Sequence, residues 1–434
     1  MNRVSFVTFG CKLNQSETAG LVRDFQDHGY EVASNVNEAD VVVINTCTVT
    51  ARSDAKCRRA IRRISRLNPE ATIIVAGCYA QVSWSDIATI KGVDYIVGSD
   101  DKFHIFDFFH GPEKLSEPKI VVSDLENVRN AVCKRGSFLN QTRAFLKIQD
   151  GCSNRCSYCI VPLTRGPNRS VPLENVIREA KALSDSGYRE IVLTGVHIGD
   201  YGKDIEGRSL LVLLLKNLLK IRQIGRIRLS SLNVEDIDDD LLSVVSSTER
   251  ICHHFHIPLQ SGCDRILKAM NRKYSASDAS RVIEKIARRF ETIGLGTDII
   301  TGYPGETDSE FEQTYRFIKE LPFSYLHVFP FSIRANTLAA SAPDHVDPAV
   351  RTDRAERLRS LGKIKRMEFF KKHRTKEVDV LFENRNLGGY MKGLSSDYIR
   401  VKCRYMRKYI NQIVKVKIVD VNSTEVVGRI VQTM

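Results

Sequence analysis

Apolar residues in the first hundred positions fall into short β-branched runs, RVSFVTFG (3–10), DVVVINT (40–46), TIIVAG (72–77) and VDYIVG (93–98), separated by helix-length stretches. This alternation predicts a parallel sheet wrapped by helices. It restarts near residue 140 with six candidate strands, AFLKIQD (144–150), EIVLTGV (190–196), RIRLSSL (226–232), HHFHIPL (253–259), LGTDIITG (295–302) and YLHVFPF (325–331), and helical periodicity between them. Six βα units predict an incomplete barrel with its chemistry in the loops after the strands. A charged helical stretch spans 347–373. Beyond it, VDVLFEN (378–384), YIRVKC (398–403), 413–420 and VVGRIVQ (426–432), split by Gly388 and Gly389, predict a small β-barrel of the OB-like kind. The expected fold is therefore α/β: an amino-terminal doubly wound parallel-sheet domain (1–135), a central partial (β/α)6 barrel (138–371) and a carboxy-terminal β-barrel (372–434).

Composition narrows the class. At 434 residues and 42% hydrophobic, the chain can bury the cores of two or three domains. Its longest apolar segment, 210–221, is short and interrupted by Lys216, and no apolar run follows the start MNRVSFVTFGCK, so neither a leader nor a membrane span is expected. Eleven cysteines, an odd number spread over this length, fit a secreted disulfide framework poorly and favour reduced cytoplasmic thiols with metal or catalytic work. Lys plus Arg number 65 against 52 Asp plus Glu, a net +13 that favours a polyanionic partner such as RNA. The surplus is local: residues 372–434 hold 13 Lys and Arg against 6 Asp and Glu.

The cysteines carry the strongest signal. Cys152, Cys156 and Cys159 form C-x3-C-x2-C just after the first barrel strand, a spacing that random scatter would give in fewer than about one such chain in a hundred. Structural zinc usually takes four protein ligands, often as two separated pairs. An iron–sulfur cubane held by three thiolates instead leaves one iron open to a small molecule. Cys11, Cys47 and Cys78 each follow a predicted strand of the first sheet, and ligands gather at the carboxyl edge of such sheets, so these three can converge despite their separation. Taken alone they would more often be core residues; strand-end placement beside the triplet favours a second site. Glycine precedes Cys11, Cys78 and Cys152, which would let the backbone approach a bulky group.

With Tyr158 before its last cysteine, the triplet resembles that of the radical S-adenosylmethionine enzymes. The resemblance implies a [4Fe–4S] cluster whose open iron takes the amino and carboxylate groups of S-adenosylmethionine, an external electron donor, and a 5′-deoxyadenosyl radical that abstracts hydrogen. GCKLNQSET (10–18), NTCTVT (45–50) and AGCYAQ (76–81) look like the amino-terminal domain of the methylthiotransferases, which implies that Cys11, Cys47 and Cys78 hold a second [4Fe–4S] cluster. RGPNRS (165–170), LTGVHIGDYG (193–202), HIPLQSG (256–262) and TDIITGYPGET (297–307) match family motifs, and the last region resembles a TRAM module. By this resemblance Tyr158, Gly195 and Ser230 contact the cofactor, Gly195 at the methionyl amino group and Ser230 on the ribose side. The implied reaction is methylthiolation, with a separate sulfur source, of C2 of N6-threonylcarbamoyladenosine at position 37, in the anticodon loop of tRNA. GCKLNQSET resembles that branch more than the isopentenyladenosine branch, where Gln-Met-Asn commonly follows Gly-Cys. Two alternatives within the family are the isopentenyladenosine branch and the branch that modifies a ribosomal-protein aspartate; one outside it is a non-catalytic iron–sulfur protein that binds RNA or senses. Two positions depart from the family pattern: NVED follows Ser230 and Ser231 where Glu-Pro is frequent, and Asn336 stands where Gly is usual.

Other residues read more plainly. Lys402, Arg404, Arg407 and Lys408 alternate with Tyr405 and Tyr409, which suits phosphate contact with base stacking. Arg52, Lys56, Arg59 and Arg63 share one face of a predicted helix, either solvated or in contact with RNA. Cys57, Cys133, Cys252, Cys263 and Cys403 are expected to pack as small hydrophobes. In a strand His254 and His256 face one way and His253 the other, so metal binding by that run alone is strained.

Overall fold

The first unit of the computed structural model, which describes residues 1–129, 131–133, 142–422 and 424–431, is built from β1 (Arg3–Thr8), α1 (Lys12–Asp27), β2 (Glu31–Val32), β3 (Val41–Thr46), α2 (Ala51–Leu67), β4 (Thr72–Gly77), α3 (Cys78–Val82), α4 (Trp84–Ala88), β5 (Tyr95–Val97) and β6 (Lys119–Val121). Its six strands are all parallel, in the order β2-β1-β3-β4-β5-β6. Every residue of β3 and β4 is buried, and alternate side chains feed two cores: Val42, Ile44, Ile73 and Val75 on one face, Val41, Val43, Ile74 and Ala76 on the other. The short edge strands β2 and β6 carry too few apolar residues to read as strands in the sequence. The boundary expected at 135–138 lies outside the described residues.

The central unit runs β7 (Arg143–Lys147), β8 (Gln149–Asp150), α5 (Val161–Arg165), β9 (Arg169–Ser170), α6 (Leu173–Asp185), β10 (Glu190–Thr194), α7 (Lys203–Glu206), α8 (Leu211–Leu218), β11 (Arg226–Leu229), α9 (Asp239–Ser246), β12 (His254–His256), α10 (Asp264–Ala269), α11 (Ala276–Arg289), β13 (Gly294–Thr301), α12 (Asp308–Glu320) and β14 (Tyr325–Pro330). Two parallel three-stranded sheets, β7-β10-β11 and β12-β13-β14, join through bridges from Ile227 to Ile251 and from Ser231 to His256. The six expected strands thus form a partial barrel. Leu295 and Ile299 of β13 pack outward on the helices, whereas the alternate Asp298 meets His256 and His327 from the flanking strands, so the lumen is polar.

The 25-residue helix α13 (Pro348–Lys372) leads to a closed barrel of β15 (Glu377–Phe382), β16 (Tyr390–Ser395), β17 (Arg400–Arg404), β18 (Ile413–Val421) and β19 (Val426–Ile430). Strand β16 escapes sequence reading because Gly393 interrupts its pattern; a Cβ there would lie 2.5 Å from the Leu381 carbonyl oxygen, so the close approach needs glycine. This barrel seats on the amino-terminal ends of the central strands. Arg226 donates to Leu394 O (2.7 Å), Arg228 to Ser395 O (2.8 Å), and His253 N to Ser396 Oγ (3.0 Å).

Candidate cluster and cofactor site

Cys11, Cys47 and Cys78 occupy equivalent places at the carboxyl edge of adjacent strands: Cys11 at the amino-terminal cap of α1, Cys47 just after β3, and Cys78 as the first residue of α3. Their charges act on one another, so the three are neighbours in space. Burial pushes the Cys47 thiol up to about 12, and a thiolate there requires a compensating cation. Gly10 lies in the left-handed region at φ +106°, and a Cβ on it would stand 2.7 Å from Cys47 Cβ. Gly151, at φ +66°, would meet the Pro167 carbonyl at 1.9 Å. The glycines expected to admit a bulky group therefore serve first to bring protein chain against protein chain.

The triplet loop is held by backbone bonds, Cys152 N to Gly166 O (3.0 Å), Ser157 N to Met270 O (3.1 Å) and Cys159 N to Cys156 O (3.0 Å). Arg272 donates to Cys156 Sγ at 3.6 Å and to Asn233 Oδ1 at 2.9 Å. His197 meets Asp236 (2.6 Å) and Asp200 (2.9 Å) and hydrogen-bonds Cys152; burial opposes its charge, but these bonds outweigh it and raise its pKa. Asn233 and Asp236 belong to the NVED stretch that departs from the family pattern. Burial likewise pushes Cys159 up to about 12. Tyr158 packs against a small core with Met270, Tyr303 and Phe331. Gly195 follows β10 beside Gln149, where a Cβ would meet Gln149 Oε1 at 2.7 Å. Ser230 follows β11 with a buried Oγ that has no hydrogen-bond partner.

A buried ion network joins the two trios. Arg165, six residues after Cys159, reaches Glu17 (2.8 Å), Asp150 (2.9 Å) and Asn14 Oδ1 (2.7 Å). Asn14 Oδ1 also faces Cys11 Sγ at 3.7 Å. Lys102 and Lys147 complete the set on Glu17 at 2.6 and 3.3 Å. With Arg169 at 3.9 Å from both Asp150 and Asp100, four cations face three carboxylates and leave one positive charge; the Arg165 guanidinium feels the Cys78 charge and acts in turn on Cys11. A second tie comes from the segment after β14: Arg334 grips Asp54 (2.6 Å) and Thr48 (2.9 Å) next to Cys47, while Ala339 N bonds Ser157 O (2.8 Å) inside the triplet. Asn336 in this segment has φ +66°, a left-handed position where glycine is free and asparagine is tolerated.

Single tetrahedral ions hold thiolates on the order of 4 Å apart. Among the described residues, the groups of three or more donors within 4.8 Å are His256, Asp298 and His327, and His197, Asp200 and Asp236; neither cysteine trio is among them. The trios thus suit a larger inorganic core, and the unspent positive charge, the cradle at Gly10 and the orphaned Ser230 Oγ fit anionic clusters and a polar cofactor. Sequence reading missed Asn14 and Glu17. The available signal was α1 itself, which buries the polar Asn14, Glu17 and Thr18 in line with the apolar Leu21 and Phe25.

In the terminal barrel Arg404 lines a 720 Å³ groove with Tyr409, Lys417 and Arg429. Arg407 and Lys408 are exposed, whereas Lys402 is held by Glu425 at 3.0 Å. Arg52, Lys56, Arg59 and Arg63 are exposed on α2. Cys57, Cys263 and Cys403 are buried in apolar surroundings, Cys252 is buried beside the charged Arg228, Glu190 and Arg226 rather than as a plain small hydrophobe, and the half-buried Cys133 packs against the central core. His254 and His256 share Tyr325 OH (2.8 and 3.1 Å) while His253 turns away to Phe290.

A partial barrel with a three-cysteine loop after its first strand defines a radical S-adenosylmethionine enzyme, and residues 146–318 match the Radical SAM superfamily. Residues 3–98 match an uncharacterized protein family, UPF0004. The chain is similar to the threonylcarbamoyladenosine tRNA methylthiotransferase MtaB of Bacillus subtilis, 38% identical over 96% of this chain and 94% of that protein, and to that of Aquifex aeolicus, 38% over 96% and 100%. It is 35% identical to the tRNA-2-methylthio-N(6)-dimethylallyladenosine synthase of Methylacidiphilum infernorum over 88% and 84%. Among solved structures, the radical S-adenosylmethionine methyltransferase TsrM of Kitasatospora setae aligns with a TM-score of 0.55 at 15% identity over 78% of this chain and 77% of that one, a likeness of fold. The chain belongs to the methylthiotransferase family, whose members use [4Fe–4S] clusters and S-adenosylmethionine. No helix of the described residues is long and apolar enough to cross a membrane.

Proposed function

We propose that the protein methylthiolates C2 of N6-threonylcarbamoyladenosine at position 37 of cytoplasmic tRNA. The observation that carries this reading is the meeting of the two trios across one interface, tied by Arg165 and by the segment from Arg334 to Ala339. Cys152, Cys156 and Cys159 would hold the cluster that binds S-adenosylmethionine, and Cys11, Cys47 and Cys78 the auxiliary cluster, in units spanning roughly 138–371 and 1–135. Bound clusters and S-adenosylmethionine supply the electron transfer, radical and methyl-transfer chemistry, fed by an external electron donor and a sulfur source.

The chain's own residues bind and orient. Tyr158 and Gly195 border the cofactor position, Ser230 offers its unpartnered hydroxyl, and Arg272 and His197 place positive charge against Cys156 and Cys152. The TRAM-like barrel, 372–434, presents Arg404, Arg407 and Lys408 to RNA, with Lys402 partly neutralised by Glu425. Mass spectrometry of tRNA nucleosides from cells lacking the gene is the test. Loss of the methylthio form of threonylcarbamoyladenosine, with the isopentenyl derivative intact, is the expected result; normal levels would refute the assignment.

A further inference from the structure

The partial barrel leaves β7 and β14 as its two unpaired edges, and both line a 370 Å³ cavity whose other walls are α13 and the terminal barrel. From α13 come Arg359, Lys363 and Arg366, spaced i, i+4 and i+7 on one exposed face of the helix. Arg143 of β7 and Arg400 of β17 add two more cations. Those two share Glu383, at 3.9 and 3.2 Å. Asp397 also borders the cavity, but His373 and Ser395 hold its carboxylate. The three from α13 have no carboxylate partner among the described residues: Arg359 donates to Val328 O at 3.1 Å, and Arg366 lies over the Phe370 ring at 5.1 Å. Five cations thus face two carboxylates, both already engaged.

The inner wall is aromatic. Tyr325 and Tyr398 line it with their rings stacked 5.4 Å apart. His327 lines it too and meets Asp298 at 3.1 Å, and Asp298 meets His256 at 2.9 Å. His256 bridges to Ser231, next to the unpartnered Ser230 hydroxyl proposed to face the cofactor. A continuous line of contacts therefore runs from this seam through the polar lumen toward the cofactor position.

A cleft lined by one sign of charge concentrates the opposite polyion. A base cannot be modified while it is stacked in its loop; it must be turned out, and its flanking phosphates must be held while it is. Cations at a rim with aromatic rings behind them suit single-stranded RNA, the charges tracking the backbone and the rings receiving a base. We propose that the seam is the entry port for the target nucleotide: Arg359, Lys363 and Arg366 grip the phosphates flanking it while its base passes between β7 and β14 along Tyr325 and Tyr398. This rests on the tRNA substrate proposed above. None of Arg404, Arg407 and Lys408 lines this cavity, so the port is a second basic surface, distinct from theirs.

The test is anaerobic fluorescence anisotropy of the cluster-loaded full chain, across a range of salt, with an anticodon stem-loop RNA carrying threonylcarbamoyladenosine and with the same RNA bearing neutral methylphosphonates on either side of that nucleotide. Arg359→Gln, Lys363→Gln and Arg366→Gln should each lower the log–log salt slope by about 0.7. All three side chains are exposed, so melting and iron content should match the wild type. The methylphosphonates should weaken wild-type binding about three- to fivefold. In the triple glutamine variant they should cost less than about twofold, and in Arg404→Ala their full cost should persist, because only a shared contact is lost once. Unchanged slopes in all three single variants overturn the proposal, as does a methylphosphonate cost as large in the triple variant as in the wild type, which would put those phosphates elsewhere. A wild type that binds the stem-loop no better than an RNA duplex of equal length would instead sink the tRNA reading, whereas preference for the stem-loop with unchanged slopes sinks this inference alone.

Discussion

The two cysteine trios reach similar arrangements by opposite routes. The triplet at 152–159 is set by the spacing of one loop, braced within itself by Cys159 N to Cys156 O and from elsewhere in its own unit by Gly166, Met270 and Ala339. The trio of Cys11, Cys47 and Cys78 is assembled from three strand ends and depends on the central unit, because Arg165, Asp150 and Lys147 of that unit complete the ion network around Glu17. One site is set by its loop; the other is set by three strand ends, and its buried charges are balanced only where two units dock. The difference implies that damage to the interface should empty the auxiliary site before the triplet.

The sharpest break is at the six cysteines. Anaerobically reconstituted protein should hold about eight iron per chain, and Cys156→Ala and Cys47→Ala should each hold about four. Cys156→Ala should abolish cleavage of S-adenosylmethionine, whereas Cys47→Ala should keep cleavage and lose the methylthio product; identical phenotypes would end the comparison. Next in size, Arg165→Ala leaves Glu17 and Asp150 short of a buried partner at a cost of about 3–5 kcal/mol. Its melting temperature should fall and iron counting should show the auxiliary site depleted first; even loss from both sites would contradict the asymmetry.

Arg334→Ala strands buried Asp54, at about 2 kcal/mol. It should lower product formation with iron near eight per chain and with cofactor cleavage retained, because it loosens one site against the other; unchanged product formation would free Arg334 of a positioning role. Acid offers a milder probe. Burial works against the Glu17 charge, but Arg165, Lys102 and Lys147 outweigh it and hold its carboxyl at about 2. Its stabilising effect is complete above the ordinary carboxylate range and fades as pH falls from about 4.5 to about 2. Melting of the cluster-free chain should be level down to about pH 5 and drop below it, less steeply in Glu17→Gln. Smallest, and a control remote from both trios, Arg404→Ala should leave iron unchanged and lower the log–log salt slope of RNA binding by about 0.7 to 0.9.

Much of this was legible in the sequence. Buried parallel strands announce themselves as β-branched runs, and all ten expected in the first two units are present. The triplet was legible because its cysteines are neighbours in the chain, and the convergence of Cys11, Cys47 and Cys78 because adjacent parallel strands end at one edge of the sheet. The His256–Asp298–His327 group was not, since its members come from three strands and meet only when the barrel curls. Arg334 and Asp54 lie 280 residues apart, and no periodicity reports such a pairing.

The seating of the terminal barrel on β11 and β12 carries a consequence for truncation. Arg226 and Arg228 use carbonyls of that barrel, Leu394 and Ser395, as the far anchors of guanidiniums that Glu190 holds from the other side. Cutting the chain after α13 would therefore do more than remove a domain: it would strip Arg226 and Arg228 of their far anchors, flood two solvent-shielded guanidiniums and leave Glu190 as their sole buried tether.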